Sequence, residues 1–350
     1  MNSPNNPAQP AQTIQHKQNS RVWVAWLILF GGSGLLCFLM AFSITKGAAE
    51  ISLQTVWDAL FRFDKENTHH LIVLDLRLPR VIASALVGAA FAVSGAIMQG
   101  TTRNPMADSG LLGLNAGAGF ALSLCFAFFP GMGYLQIILF SFLGAALGTV
   151  LVQGIASMRR GGATPMRLVL AGAAVSALLA ALSQGIALYF HVAQDIMFWT
   201  VGGVAGSNWE QVQIMTPWIL GALLAAIVLS RSVSLLSLGE DVAKGLGLNT
   251  IAVNVLCSLI VLILAGASVS VVGSVGFVGL MIPHLARYLV GVDYRWIIPS
   301  SAVLGAILMV LADLGARMLN PPFETPIGVL TALVGVPFFL YLSRKQRRAI

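Results

Sequence analysis

Residues 109–158 carry no charged side chain, and residues 250–286 carry none again. About 20 apolar residues cross a bilayer once as a helix, so the first run is long enough to cross twice and has to fold back. Pro130-Gly131-Met132-Gly133 supplies its turn. The second run breaks near Gly273-Ser274-Val275-Gly276. An ordinary soluble domain is about 25% charged, whereas these 350 residues are 9% charged and 57% hydrophobic. That leaves too little polar surface for a water-soluble globule, so the fold class is an all-α polytopic membrane protein.

Apolar runs place ten spans near 22–44, 80–100, 109–129, 134–157, 167–190, 212–230, 250–272, 275–290, 296–318 and 326–342. With both termini in the cytoplasm, fourteen of the 20 Lys and Arg fall in inner segments and six in outer ones. The positive-inside rule selects that orientation, and it also explains the net charge of +7 without nucleic acid. Residues 1–20 are rich in Asn, Gln, Pro and Ser and predict a disordered cytoplasmic tail. The membrane domain is expected over 21–343, and 344–350 form a basic tail. The first span is too long for a signal-peptide core and would remain as an anchor.

One polar island interrupts the second half. Leu238, Gly239, Glu240, Asp241, Val242, Ala243, Lys244, Gly245, Leu246, Gly247 and Leu248 sit inside a segment over 235–249. Leu235, Leu238, Val242 and Leu246 recur at helical spacing. Glu240 and Asp241 stand near the helix start and Lys244 near its end, as the macrodipole favours. Gly245 or Gly247 can stop it. Such a short amphipathic rod is either a handle for a second protein or a helix resting on lipid.

Much enzymatic equipment is missing. The chain has no Gly-x-x-x-x-Gly-Lys-Ser/Thr loop and no His-Glu-x-x-His. His16, His69, His70, His191 and His284 show no metal-ligand pattern, and His69-His70 read as a solvated pair. Cys37, Cys125 and Cys257 lie far apart within spans, suggest neither a disulfide framework nor a zinc site, and read as small buried hydrophobes. No catalytic residue, metal site or cofactor is therefore expected. Ion-coupled transporters place ionisable groups in mid-membrane. Here Asp313 is the main candidate, and it lies four residues before Arg317, where the two can pair on one helix face.

Several smaller features remain. Gly113/Gly117, Gly144/Gly148 and Gly202/Gly206 are four apart, a spacing that lets helices approach closely in lipid. Leu76-Arg77-Leu78-Pro79-Arg80 opens the second span, with Pro79 suited to a first helical turn. Arg77 and Arg80 there are either fixed positive charge at the outer rim or snorkelling anchors. Asn104-Pro105-Met106-Ala107-Asp108 and the turn ending in Thr164-Pro165 close one end of the bundle, as gates or as plain loops.

In order along the chain stand Leu76-Arg-Leu-Pro-Arg80, Gly95-Ala-Ile-Met-Gln99, Asn104-Pro-Met-Ala-Asp108 with Gly110-Leu-Leu-Gly113, Gly239-Glu-Asp-Val-Ala-Lys-Gly-Leu-Gly247, Gly276-Phe-Val-Gly-Leu-Met-Ile-Pro-His284 and Pro326-Ile-Gly-Val329. With these motifs the chain resembles the FecCD-type permeases of ABC importers, from about residue 22 to 343. The resemblance implies ten spans per subunit with two halves of inverted topology. It implies a homo- or heterodimer with a second permease subunit, two ATPase subunits, and an extracytoplasmic substrate-binding protein. Residues 238–248 match the family's ATPase-coupling segment. Arg77, Arg80 and Arg317 match positions that meet carboxylates of the binding protein. Asn104, Pro105 and Met106 match a cytoplasmic gate, and Thr164 and Pro165 a second. Family members commonly have Pro after the gate's Asp, where this chain has Ser109.

The resulting expectation is a multi-pass subunit of the bacterial cytoplasmic membrane. It would import an iron chelate, foremost a ferric siderophore, by alternating access powered by a separate ATPase. Haem or cobalamin import is the alternative cargo, and an ion-coupled secondary transporter the rival of another class.

Overall fold

The computed structural model describes residues 21–47, 50–108, 110, 113–158, 165–201, 203–273, 275–320 and 323–347. The tail expected over 1–20 lies outside them. Seven helices are long and apolar enough to cross a membrane among the described residues, and three shorter apolar helices accompany them. The ten correspond one to one with the expected spans. They are α1 (Val22–Thr45), α3 (Thr68–Thr102), α4 (Leu114–Phe128), α5 (Tyr134–Ser157), α6 (Pro165–Tyr189), α8 (Trp209–Ser237), α10 (Thr250–Val272), α11 (Val278–Val290), α12 (Tyr294–Met318) and α13 (Ile327–Arg347). Short helices α2 (Leu53–Phe61), α7 (Ala193–Val201) and α9 (Glu240–Gly245) lie in the connections.

The centre of the bundle is α3, buried at almost every position from Pro79 to Gly100. It packs on α12, α11, α10 and α8. Glycines let it do so. A Cβ on Gly88 would run into the carbonyl oxygen of Gly305 in α12, and one on Gly305 into that of Gly88. Gly95 is closed in the same way by Gly279 of α11. Without a hydrophobic force between helices in lipid, close backbone approach and dispersion supply the attraction. The two small-residue pairs read from sequence meet each other: Gly113 faces Gly148 and Gly117 faces Gly144 across the α4–α5 contact. Gly206 has open space around its Cα, and Gly202 lies outside the described residues.

Three expectations are corrected. The second span starts near residue 68, not 80, and Pro79 sits in the first turn of its α-helical part, Leu78–Thr102. The backbone is π-helical over Ile72–Arg77 just before it, and that widened stretch takes up the clash a proline makes with the carbonyl four residues back. His70 is buried, and its Nδ1 accepts the Asp64 amide at 3.1 Å, so it pins a turn instead of facing solvent beside His69. Cys125 and Cys257 are buried but Cys37 is exposed on α1.

Candidate functional site

The polar island folds as expected and with a sharper end. Gly239 precedes α9 at φ 124°, a conformation costly for any side chain. Glu240 and Asp241 fill the first turn, and Lys244 Nζ pairs with Glu240 Oε1 at 3.0 Å. Thr250 Oγ1 also approaches Glu240 Oε1, at 3.3 Å. The Lys244 hydrogen bond and charge hold the Glu240 carboxyl below the usual carboxylate range. The stop is Gly247 rather than Gly245. With Gly247 at φ 83°, its N–H donates to Lys244 O at 2.9 Å and the Leu248 N–H to Ala243 O at 3.0 Å, the paired bonds of a Schellman end.

The apolar face of this segment is split. Leu235 packs against the core from the end of α8, and Ala243 is fully buried. Leu238, Val242 and Leu246 point away, 65%, 49% and 62% exposed. They form an unpartnered apolar ridge ringed by Glu240, Asp241 and Lys244.

The Asn104 turn lies beside it. The Met106 N–H donates to Asn104 Oδ1 and the Ala107 N–H to Asn104 O, each at 3.0 Å. Arg103 ends α3 at φ 54°, and a Cβ on Gly239 would lie 3.7 Å from its Nη1. Its charge also acts on Glu240. The turn reaches the other way too, since a Cβ on Gly279 would lie 2.5 Å from Asp108 Oδ1. That carboxylate therefore stands over the first turn of α11, where a helix favours negative charge. Gln99 Nε2 ties α3 to the same turn through Gly279 O at 3.3 Å and Leu280 O at 3.2 Å. Ser109 and Thr164 lie outside the described residues, and Pro165 opens α6.

The three arginines gather at the opposite end of the bundle, and they are not free. Arg77, Arg80 and Arg317 are 7%, 8% and 9% exposed. Arg77 Nη1 donates to Ile44 O at 2.6 Å. Arg317 Nη1 donates to Ser43 O and Lys46 O at 3.2 Å, and its Nη2 meets Ser43 Oγ. They thus satisfy the orphaned carbonyls at the C-terminus of α1. Arg80 Nε pairs with Asp313 Oδ1 at 2.8 Å, and its Nη1 with Glu324 Oε1 at 2.6 Å. Arg317 Nη2 lies 3.1 Å from Asp313 Oδ2, the helix-face pair expected from the sequence. A cavity of about 450 Å³ opens over Arg80, Asp313 and Glu324, walled by α7 and the start of α13.

The structure therefore joins the rod to the Asn104 turn, and the three arginines to one another. Sequence reasoning missed Glu324 and Arg103. Glu324 had a signal, being an isolated acid two residues before Pro326 in an apolar stretch. Arg103 had none beyond its place at a helix end.

A profile of the FecCD transport family matches residues 35–345. The Bacillus subtilis iron(3+)-hydroxamate import system permease protein FhuB is 52% identical over 99% of this chain and 92% of its own length. The Yersinia pestis hemin transport system permease protein HmuU is 36% identical over 89% of this chain and 94% of its own. Among solved structures, a metal-chelate type ABC transporter in an inward-facing conformation superposes with a TM-score of 0.79 at 31% identity, over 92% of this chain and 99% of that one.

Proposed function

The chain belongs to the FecCD transport family, and from that premise we propose that it is the membrane-spanning subunit of an ATP-driven importer for a ferric chelate. Its nearest chemistry is that of hydroxamate siderophores, the cargo in the name of the 52% identical relative. Both termini are cytoplasmic in this reading. Two copies, or this chain and a sister permease, enclose the pathway. A separate ATPase supplies the energy, and a substrate-binding protein delivers the chelate.

The observation that carries the reading is the apolar ridge of Leu238, Val242 and Leu246. A rigid helix, closed at both ends by glycines with positive φ, presents that ridge away from the bundle. We assign it to a groove on the ATPase. Movement there reaches the Asn104 turn through Arg103, and the α11 start through Asp108 and Gln99. Asn104, Pro105 and Met106 act as an inner gate, and Thr164 and Pro165 as its counterpart.

At the far end, Arg77, Arg80 and Arg317 position the docking face. Their guanidiniums are buried, so a carboxylate of the binding protein gains Arg80 only by displacing Glu324, whose side chain is 43% exposed. Arg77 and Arg317 hold α1 in place below. Net positive field at this rim speeds and orients docking and weakens with salt.

Co-purification tests the coupling role. The full chain expressed with its ATPase is expected to copurify with it, and Val242→Arg to lose the ATPase while its own membrane yield stays level. Undiminished copurification and uptake by the variant would remove the ridge from the coupling contact.

A further inference from the structure

Between the ends of α3, α8 and α11 and the start of α12 lies a second cavity of about 890 Å³. Four arginines line it, Arg103, Arg231, Arg287 and Arg295, against the one carboxylate of Asp293. That leaves a formal surplus of +3.

The acids within reach are already engaged. Asp293 Oδ2 pairs with Arg295 Nη2 at 2.6 Å, and its Oδ1 accepts from Ser234 Oγ at 3.1 Å and from the Arg295 N–H at 3.0 Å. These hydrogen bonds outweigh burial and keep its carboxyl below the usual range, so the acid stays ionised and committed. Glu240 is held by Lys244. Arg287 Nη2 donates at 2.6 Å to a neutral partner, the Tyr294 hydroxyl, with its guanidinium 5.7 Å from that ring's centroid. Arg103 and Arg231 form no salt bridge among the described residues. The carbonyl ends of α3, α8 and α11 offset about half a charge each, and the α12 N-terminus returns about half, so a positive surplus survives.

The cavity mouth lies at a lipid-headgroup level. Arg21 N–H donates to Val290 O at 3.1 Å, which brings the start of α1 to the end of α11. Trp23 and Trp26 are exposed there, Trp26 stands edge-on to Trp296 at 5.5 Å, and Tyr288 and Val292 are exposed beside them. Exposed Trp and Tyr at one level mark the membrane interface. Leu235, Leu238 and Val292 add apolar wall beside the arginines.

We propose that this cavity binds the phosphate of an anionic phospholipid headgroup. Guanidiniums fork onto phosphate oxygens with paired hydrogen bonds, and the apolar wall receives the glycerol backbone and upper acyl carbons. Because Leu238 and Arg103 also border the rod, the bound lipid would brace the segment that meets the ATPase.

The test uses the purified full chain in detergent and needs neither ATPase nor cargo, so its failure is distinct from failure of the transport reading. Native mass spectrometry measures retention of phosphatidylglycerol and of phosphatidylcholine with the same acyl chains. The expected result is preferential phosphatidylglycerol binding, weakened about fivefold in Arg231→Gln. Arg231 is exposed and makes no salt bridge among the described residues, so Arg231→Gln removes no ion pair of the fold; Arg287→Lys, whose amine keeps the charge but loses the fork, gives a second reading of reduced retention. Equal retention of the two lipids, or no change in Arg231→Gln, overturns the proposal. Full displacement by inorganic phosphate also overturns it, since that would mark a site for a soluble anion.

Discussion

Asp313 has no exposure at all and is contacted by two buried guanidiniums, Arg80 and Arg317. Removing one member of such a set leaves uncompensated charge in a dry place and costs about 3–5 kcal/mol. Asp313→Asn should therefore lower the melting temperature in detergent sharply. Glu324 is half-exposed, and Glu324→Gln should cost about 1 kcal/mol or less. Equal shifts for the two variants would contradict the division between a structural acid and a displaceable one. Packing offers a second contrast. Gly88→Val sets a branched side chain against the backbone of Gly305 and should cost at least about 1–3 kcal/mol, whereas Gly154, with open space at its Cβ position, should accept Ala without loss. Matching melts for Gly88→Val and Gly154→Ala would refute the close α3–α12 approach. At this scale the sequence is legible only locally. Asp313 and Arg317 are four apart on one helix and could be paired by inspection. Arg80 and Asp313 are 233 residues apart, and nothing in a single sequence sets that distance.

Helix α9 has only six residues, far too few to persist alone in water. Its ends make it a rod, through Gly239 before it and the Gly247 turn after it. Gly247→Ala forces a side chain into a left-handed conformation, which costs about 1–2 kcal/mol. The expected outcome is faster hydrogen exchange over 240–248 and weaker ATPase binding, with the bundle's melting temperature unchanged. Normal exchange protection would show that the turn does not stiffen the rod. This element was legible, because three charges within five residues, Glu240, Asp241 and Lys244, stand out between two long apolar runs and cap chemistry follows local rules. Helices α2 and α7 were not drawn from the sequence. Ser52 caps α2 by accepting the Thr55 N–H at 3.1 Å, and Leu53, Val56, Trp57 and Leu60 recur at helical spacing, so the signal existed but lay inside a loop between spans. The early start of α3 was hidden for a different reason. Asp75, Arg77 and Arg80 argue against a membrane helix until the C-terminus of α1 and the acid on α12 are seen to receive the arginines.

At the level of the molecule, the bundle is a set of backbone-close contacts around α3, with a charge network at one end and the exposed ridge at the other. One network fixes α1, α3 and α12 together. The rod, the Asn104 turn and α11 form a connected path at the opposite end. Among the described residues Asp313 is the one fully buried acid, and it is paired with Arg80 and Arg317. Uptake into proteoliposomes is the most direct measurement. With the chain reconstituted beside its ATPase and loaded binding protein, ferric hydroxamate should accumulate when ATP is supplied and stop when ATP is withheld. Accumulation by this chain alone, driven by a proton gradient with no ATPase present, would contradict the account.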